Sequence, residues 1–426
     1  MEKYALTNCI LLDGTLDMVP QRGKALLISG GRIEKIVEEA QLPRGWKKID
    51  LDGQYVMPGL INLHVHLAGS GKPKRKQTDP VKAVKLVTAN NLTKAVGMKL
   101  VEGYARQQLY SGTTTIRTVG GIQDFDSRTR DAIDAGKKTG PRILAANMAI
   151  SVPGGHMAGS LAHIVTTPEE AAACVEKIAE TKPDLIKLMI TGGVLDAEKK
   201  GEPGVVKMSP EIVRAACDRA HALGLKVAAH VESPEGLRIA LGNGVDTIEH
   251  GARPDQEILE LFASTGAALV TTISPTLSFA LFDRSVSHAT DLQKFNGKVV
   301  MDGIVECARA CIAAGIPVGL GTDTACPYVT QYGTWRELLF LRRFCGVSNS
   351  FALHTATQVN AQIAGIDKET GTVAPGKSAD LLVTRENPLT DLTALREPSR
   401  VIFRGKILNP VVRPIPVVEQ EMDNYL

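Results

Sequence analysis

Between residues 58 and 322, short apolar strand-like runs alternate with longer amphipathic helical patterns, and that alternation constrains the fold more than any other feature. Eight strand-like runs fall at residues 60–66, 113–119, 142–150, 184–190, 226–230, 246–250, 267–273 and 317–322. Helical patterns between them cover residues 169–180, 210–223 and 299–314. Thr167-Pro168-Glu169-Glu170 and Ser209-Pro210-Glu211 are helix starts, with a capping hydroxyl, a proline in the first turn and early acids. Gly224 and Gly315 end helices just before the next strand. Eight successive strand-then-helix units predict an α/β fold, a parallel (β/α)8 TIM barrel.

The two ends read differently. Runs at residues 4–12, 24–29, 32–37 and 55–57 are apolar or alternating, and glycine pairs punctuate them, with Gly30-Gly31 marking a hairpin. Strand and turn character returns after about residue 353, at 371–380, 381–383 and 400–407. Neither piece is long enough to bury a core alone, so the two are expected to pair as one small β-sandwich. The expected organisation is residues 1–57 as the first part of the sandwich, 58–370 as the barrel and 371–426 as the second part.

Composition narrows the class. The 426 residues are 44% hydrophobic and 22% charged, as in an ordinary globular enzyme. The net charge of +3, from 49 basic and 46 acidic residues, argues against an electrostatically driven nucleic-acid binder. The basic run from Lys72 to Lys76 reads as a solvated loop. Seven cysteines without a paired spacing read as idle thiols in a reducing compartment. No run approaches the roughly 18 apolar residues of a membrane span and no leader is recognisable, so a cytoplasmic protein without membrane contact is expected.

The chemistry gathers at strand ends. His64 and His66 close the first barrel strand, and alternation turns both imidazoles to one side, where they can share a metal. His230 ends the fifth strand, His250 the sixth and Asp323 the eighth. Active sites of this fold lie at the C-terminal ends of the strands. Four histidines and an aspartate converging there would cost several kcal/mol to desolvate without a partner, which favours a metal. Lys187 lies in the apolar fourth strand between Ile186 and Leu188, which argues for burial. An ion pair or a CO2-derived carbamate would then remove the penalty of its charge. Among loop and strand-end residues, His156 follows Gly154-Gly155 and is a candidate catalytic contact to substrate or oxyanion. Arg117 is read as a structural ion-pair partner before a substrate-carboxylate binder. Tyr328, Tyr332 and Trp335 read as core, and His163, His221, His288 and His354 as non-ligands.

The whole pattern resembles the amidohydrolase superfamily, in its binuclear branch with a carboxylated lysine on the fourth strand. The resemblance runs over nearly the full chain, including the closing stretch from Gly371 to Asp380. The stretches Ser111-Gly112-Thr113-Thr114-Thr115-Ile116-Arg117, Gly154-Gly155-His156 and Ile186-Lys187-Leu188-Met189-Ile190-Thr191-Gly192-Gly193 are similar to the prolidase-like and imidazolonepropionase-related members. By motif, the resemblance implies that His64, His66 and Asp323 hold one divalent ion and His230 and His250 another. Zinc is the default metal, and the Lys187 carbamate bridges the two. It also implies a homo-oligomer. Two departures stand out: Thr118 follows Arg117 where the group often has Asp, and Val231 follows His230 where dipeptidase members often carry Tyr.

The chemistry so implied is hydrolysis of an amide or peptide C–N bond in a small molecule. A metal-bridging hydroxide attacks, and the Asp323 carboxylate takes its proton and delivers it to the leaving nitrogen. An Xaa-Pro-like dipeptide or an N-acyl amino acid is the leading substrate class, with a cyclic amide, carbamate or xenobiotic amide as alternatives. A mononuclear deaminase would need a glutamate three residues beyond the fifth-strand histidine. Ser233 stands there instead, and Glu232 comes one residue early. A barrel without chemistry, serving as a scaffold, is the remaining alternative.

Overall fold

The computed structural model describes residues 3–73 and 79–426. Most of the basic run at 72–76 therefore lies outside the described residues, and Lys72 itself is exposed. The barrel strands are Leu60–Val65, Thr113–Thr118, Arg142–Ala145, Leu185–Met189, Lys226–Val231, Thr247–His250, Ala268–Thr271 and Val318–Leu320. Neighbouring strands pair in parallel from the first to the third and from the fourth to the eighth. The ring closes where the Asp323 amide donates to the His64 carbonyl at 2.8 Å. That approach requires Gly321, because a Cβ there would lie 2.3 Å from the His64 Cβ.

The third run is not continuous. It breaks at Asn147, whose φ is 59°, into Arg142–Ala145 and Ala149–Ser151. The Asn147 side chain makes the break stable by accepting from the Ser127 amide and donating to the Thr181 hydroxyl. Ala149–Ser151 then pairs with the fourth strand and with an extra short strand, Ala162–Ile164.

Alternation sorts the strand residues as expected. In the fifth strand Val227, Ala229 and Val231 join the apolar layer under the helices, while Ala228 and His230 face inward. In the fourth, Ile186 and Leu188 lie in the same outer layer, leaving Leu185, Lys187 and Met189 inside. Helix Pro168–Ala179 is capped by the Thr167 hydroxyl, and Pro210–Ala222 begins with its proline in the first turn. The last long helix is Asp291–Ala313, longer than its apolar pattern, because Thr290 and Gln293 form a reciprocal capping box.

Both chain ends build one eight-stranded sheet. Tyr55–Pro58 pairs antiparallel with Leu381–Thr384, which joins the N-terminal and C-terminal pieces directly. The glycine hairpin forms between Gln21–Ser29 and Arg32–Glu38, and Ile33 bonds back to Lys377. The shared core holds Leu6, Leu26 and Val56 from one end with Leu381, Val383 and Ile402 from the other. Residues 416–423, within the stretch expected as sandwich, are helical. Helix Pro416–Asp423 packs Val418 and Met422 against Phe340 and Tyr328 of the barrel. All seven cysteines are free thiols. No described helix is long and apolar enough to cross a membrane.

Candidate metal centre

His64, His66, Lys187, His230, His250 and Asp323 come together, all buried, where their strands end. The four imidazoles form a chain with ring centroids 5.4 Å apart for His64–His66, 4.8 Å for His64–His250 and 4.6 Å for His230–His250. His250 and Asp323 both adopt left-handed backbone, at φ 69° and 56°, which aims their side chains across the mouth. Such conformations cost about 1–3 kcal/mol each and persist where the surroundings over-determine them.

Proton placement shows what the cluster lacks. His66 Nδ1 lies 2.7 Å from the Gly120 carbonyl, so that nitrogen is the donor. His64 Nδ1 lies 2.7 Å from Glu249 Oε2 and is a donor for the same reason. Their Nε2 lone pairs therefore face Asp323 Oδ1, at 3.5 Å from His64 and 3.2 Å from His66. Three electron-rich atoms converging with no proton between them fit a cation. Burial, then nearby positive charge, pushes His230 and His250 well below the ordinary imidazole range, giving the neutral, ligating form at pH 7. Burial alone would raise the Asp323 carboxyl, and positive charge with hydrogen-bond donation from His64 and His66 lowers it instead, a role that a bound cation would take over where both rings are neutral. Two sets are placed to hold an ion: His64, His250 and Asp323, and His230, Glu232 and His250.

Lys187 is fully buried, and among the described residues its Nζ has no hydrogen-bond partner. Burial pulls its amine down to about 8, with Glu249 pulling the other way and Arg117 adding to the fall. Glu249 and Asp323 both act on its charge, but no salt bridge engages Lys187 among the described residues.

Glu249 was not assigned from the sequence. Glu249 accepts from His64 Nδ1 and from Arg117 Nη2 at 2.6 Å. Burial would raise its carboxyl, yet Arg117, Lys187 and His64 together hold it well below the usual range. Arg117 also donates to the Leu63 carbonyl and the Thr247 hydroxyl, so its guanidinium is a brace inside the barrel, as expected. Arg117→Ala would leave a buried carboxylate uncompensated. We expect a loss of about 3–5 kcal/mol in denaturant unfolding, and a loss under 1 kcal/mol would show that the brace is dispensable.

His156 stacks on His230 with centroids 4.3 Å apart and planes 7° from parallel. Its Nδ1 lies 2.5 Å from Asp196 Oδ2, and the Gly193 amide donates to the same oxygen. The sequence placed His156 near the site, while its Asp196 partner, on the loop after the fourth strand, was missed. Tyr328, Tyr332 and Trp335 are buried as expected, and His221 bonds Asp246 away from the cluster.

Known proteins place this geometry. The Amidohydrolase family profile matches residues 55–408. The chain belongs to the amidohydrolase family. The NagA composite domain matches residues 3–56, the N-terminal part of the terminal sheet. The crystal structure of a proposed prolidase from Bifidobacterium longum superposes on this amidohydrolase with a TM-score of 0.88 at 38% identity, over 99% of this chain and 98% of that one. A Xaa-Pro dipeptidase with methionine bound in its active site gives a TM-score of 0.84 at 27% identity, over 96% and 100% of the two chains. In sequence, ochratoxinase of Aspergillus niger is 25% identical over 92% of this chain and 85% of its own. The expected resemblance to prolidase-like amidohydrolases and the barrel with its terminal sheet both stand.

Proposed function

We propose that this amidohydrolase uses two divalent ions to hydrolyse an amide or peptide C–N bond in a small substrate, an Xaa-Pro-like dipeptide or an N-acyl amino acid. The observation that carries the reading is the convergence of the His64 and His66 Nε2 atoms on Asp323 beside a buried Lys187 whose Nζ has no hydrogen-bond partner among the described residues. His64, His66 and Asp323 would hold one ion, His230 and His250 the other, and a carbamate on Lys187 would join them. When bound, the ions supply an acidified water and a polarised scissile carbonyl. Zinc suits the imidazole-rich set.

The chain's own residues do the rest. Glu249 and Gly120 fix the His64 and His66 tautomers, keeping both Nε2 lone pairs turned to the site. Asp323, held ionised, accepts the proton of the attacking water and passes it to the leaving nitrogen. Asp196 anchors His156 through Nδ1, and with Nε2 also protonated the ring would donate to the substrate carbonyl or its developing oxyanion. His156→Ala should lower kcat/KM about a hundredfold while metal content stays at the wild-type level. An unchanged kcat/KM would remove His156 from the reaction.

The dipeptide reading draws support from the prolidase and dipeptidase structures. Val231 is buried under the helices, so it does not replace the tyrosine that dipeptidase members often carry there. N-acyl amino acids are therefore an equal arm of the test. A panel of Xaa-Pro dipeptides and N-acyl amino acids, followed by amine release, should yield a turned-over substrate that chelator treatment abolishes. Activity only on amino-purines or amino-pyrimidines, releasing ammonia, would replace this reading with a deaminase.

A further inference from the structure

Glu232 belongs to one of the two candidate ion sets, yet the proposed function gives it no role. It follows the fifth strand, Lys226–Val231, and stands two residues beyond His230. The period-two alternation that puts His64 and His66 on one side therefore puts His230 and Glu232 on one side as well. The structure bears this out: ligand atoms of His230, Glu232 and His250 lie within 4.8 Å of one another.

Two further observations point to a ligand. Glu232 Oε2 is buried and, among the described residues, has no hydrogen-bond partner. A buried carboxylate oxygen without a donor costs more than almost any other polar group, so it marks a place where something else binds. The floor beneath it is Gly193. A Cβ there would meet Glu232 Oε2 at 3.3 Å and His230 Nε2 at 3.5 Å, so the glycine leaves open the space the two side chains share, where His230 Nε2 meets only the Gly192 carbonyl at 3.2 Å among the described residues. The backbone holds Glu232 in place, since its amide donates to the Thr191 hydroxyl at 3.0 Å.

We propose that Glu232 is a direct ligand of the ion held by His230 and His250, adding a carboxylate to that half of the centre. The inference rests on the two-ion reading above. A third anionic group beside Asp323 and the Lys187 carbamate would balance most of the charge of two divalent ions. It would also explain why an uncompensated acid is tolerated beside Asp323. A glutamate there is a hard oxygen donor, so the second position should accept manganese or cobalt more readily than a position of imidazoles alone.

The experiment uses full-length protein stripped of metal and titrated with zinc by calorimetry, with Glu232→Gln and Glu232→Asp alongside. Cobalt(II) absorption serves as a second readout that needs no substrate. Wild type should take two ions per chain. Glu232→Gln should keep one unchanged and bind the other at least tenfold more weakly, with a shifted cobalt spectrum. Glu232→Asp, a shorter carboxylate, should recover part of the affinity. Matching thermal unfolding of the metal-free proteins would establish that the variants fold. Two ions with wild-type affinity and spectrum in Glu232→Gln would overturn the assignment and make Glu232 a substrate-ammonium or proton-relay group. A single ion in wild type would instead sink the two-ion reading itself, which keeps the two failures apart.

Discussion

Asp323→Asn should lower kcat by roughly a thousandfold or more on the best substrate from the dipeptide and N-acyl amino acid panel, with little change in KM. The amide is the same size as the carboxylate and keeps the left-handed turn at φ 56°. It cannot accept the water proton, and it offers a weaker oxygen to the lone-pair cluster of His64 and His66. Steady-state kinetics checks the rate. Thermal unfolding checks that the fold survives, because Asp323 also ties the eighth strand to the first through its amide, which the substitution leaves intact. A loss of tenfold or less would move the proton-transfer role to another group, with Glu232 the first to test.

Lys187→Ala should be about as damaging to rate, and its rescue is the more telling result. The amine lies inside the barrel with Leu185 and Met189 on the same side of its strand, and no donor or acceptor engages it among the described residues. Burial holds it at about 8, so near pH 8 about half the amines are neutral and able to attack CO2, against well under a hundredth for an ordinary lysine. Carbamate uptake from labelled bicarbonate should therefore rise with pH up to about 8 and level off above it. Carbon-13 NMR should show a carbamate signal in wild type and none in Lys187→Ala. In the alanine variant a short carboxylate such as acetate or propionate fits the vacated space and should restore part of the activity. Full activity in Lys187→Ala, or no carbamate signal in wild type, would contradict the bridging role.

What the sequence revealed and what it hid divide along contact range. The barrel strands were legible because each is a local pattern; alternation placed His64 with His66, and its apolar neighbours marked Lys187 as buried. Asn147 hid the break in the third run, because an asparagine inside an apolar stretch adopts left-handed backbone only when Ser127 and Thr181 supply its partners. Glu249 was hidden for the same reason at longer range. Its partners, His64 and Arg117, lie 185 and 132 residues away, so only folding identifies a plain strand glutamate as the residue that sets a tautomer. The role of Arg117 was legible because a buried guanidinium demands a partner, even though the partner was not nameable. Helix Pro416–Asp423 was missed amid the surrounding strand signals. Its docking depends on Arg336, which bonds Glu419 and Asp423 across the chain. Glu232 carries a usable signal in the sequence, the same one-residue spacing as His64-Val65-His66.

A two-ion centre built on Lys187 stands or falls on its metal content. Protein purified without chelator would be measured by elemental analysis beside Lys187→Ala. Wild type should hold about two divalent ions per chain and the variant fewer, because removing the bridge weakens both positions. One ion or none in wild type, unchanged by the substitution, would contradict it.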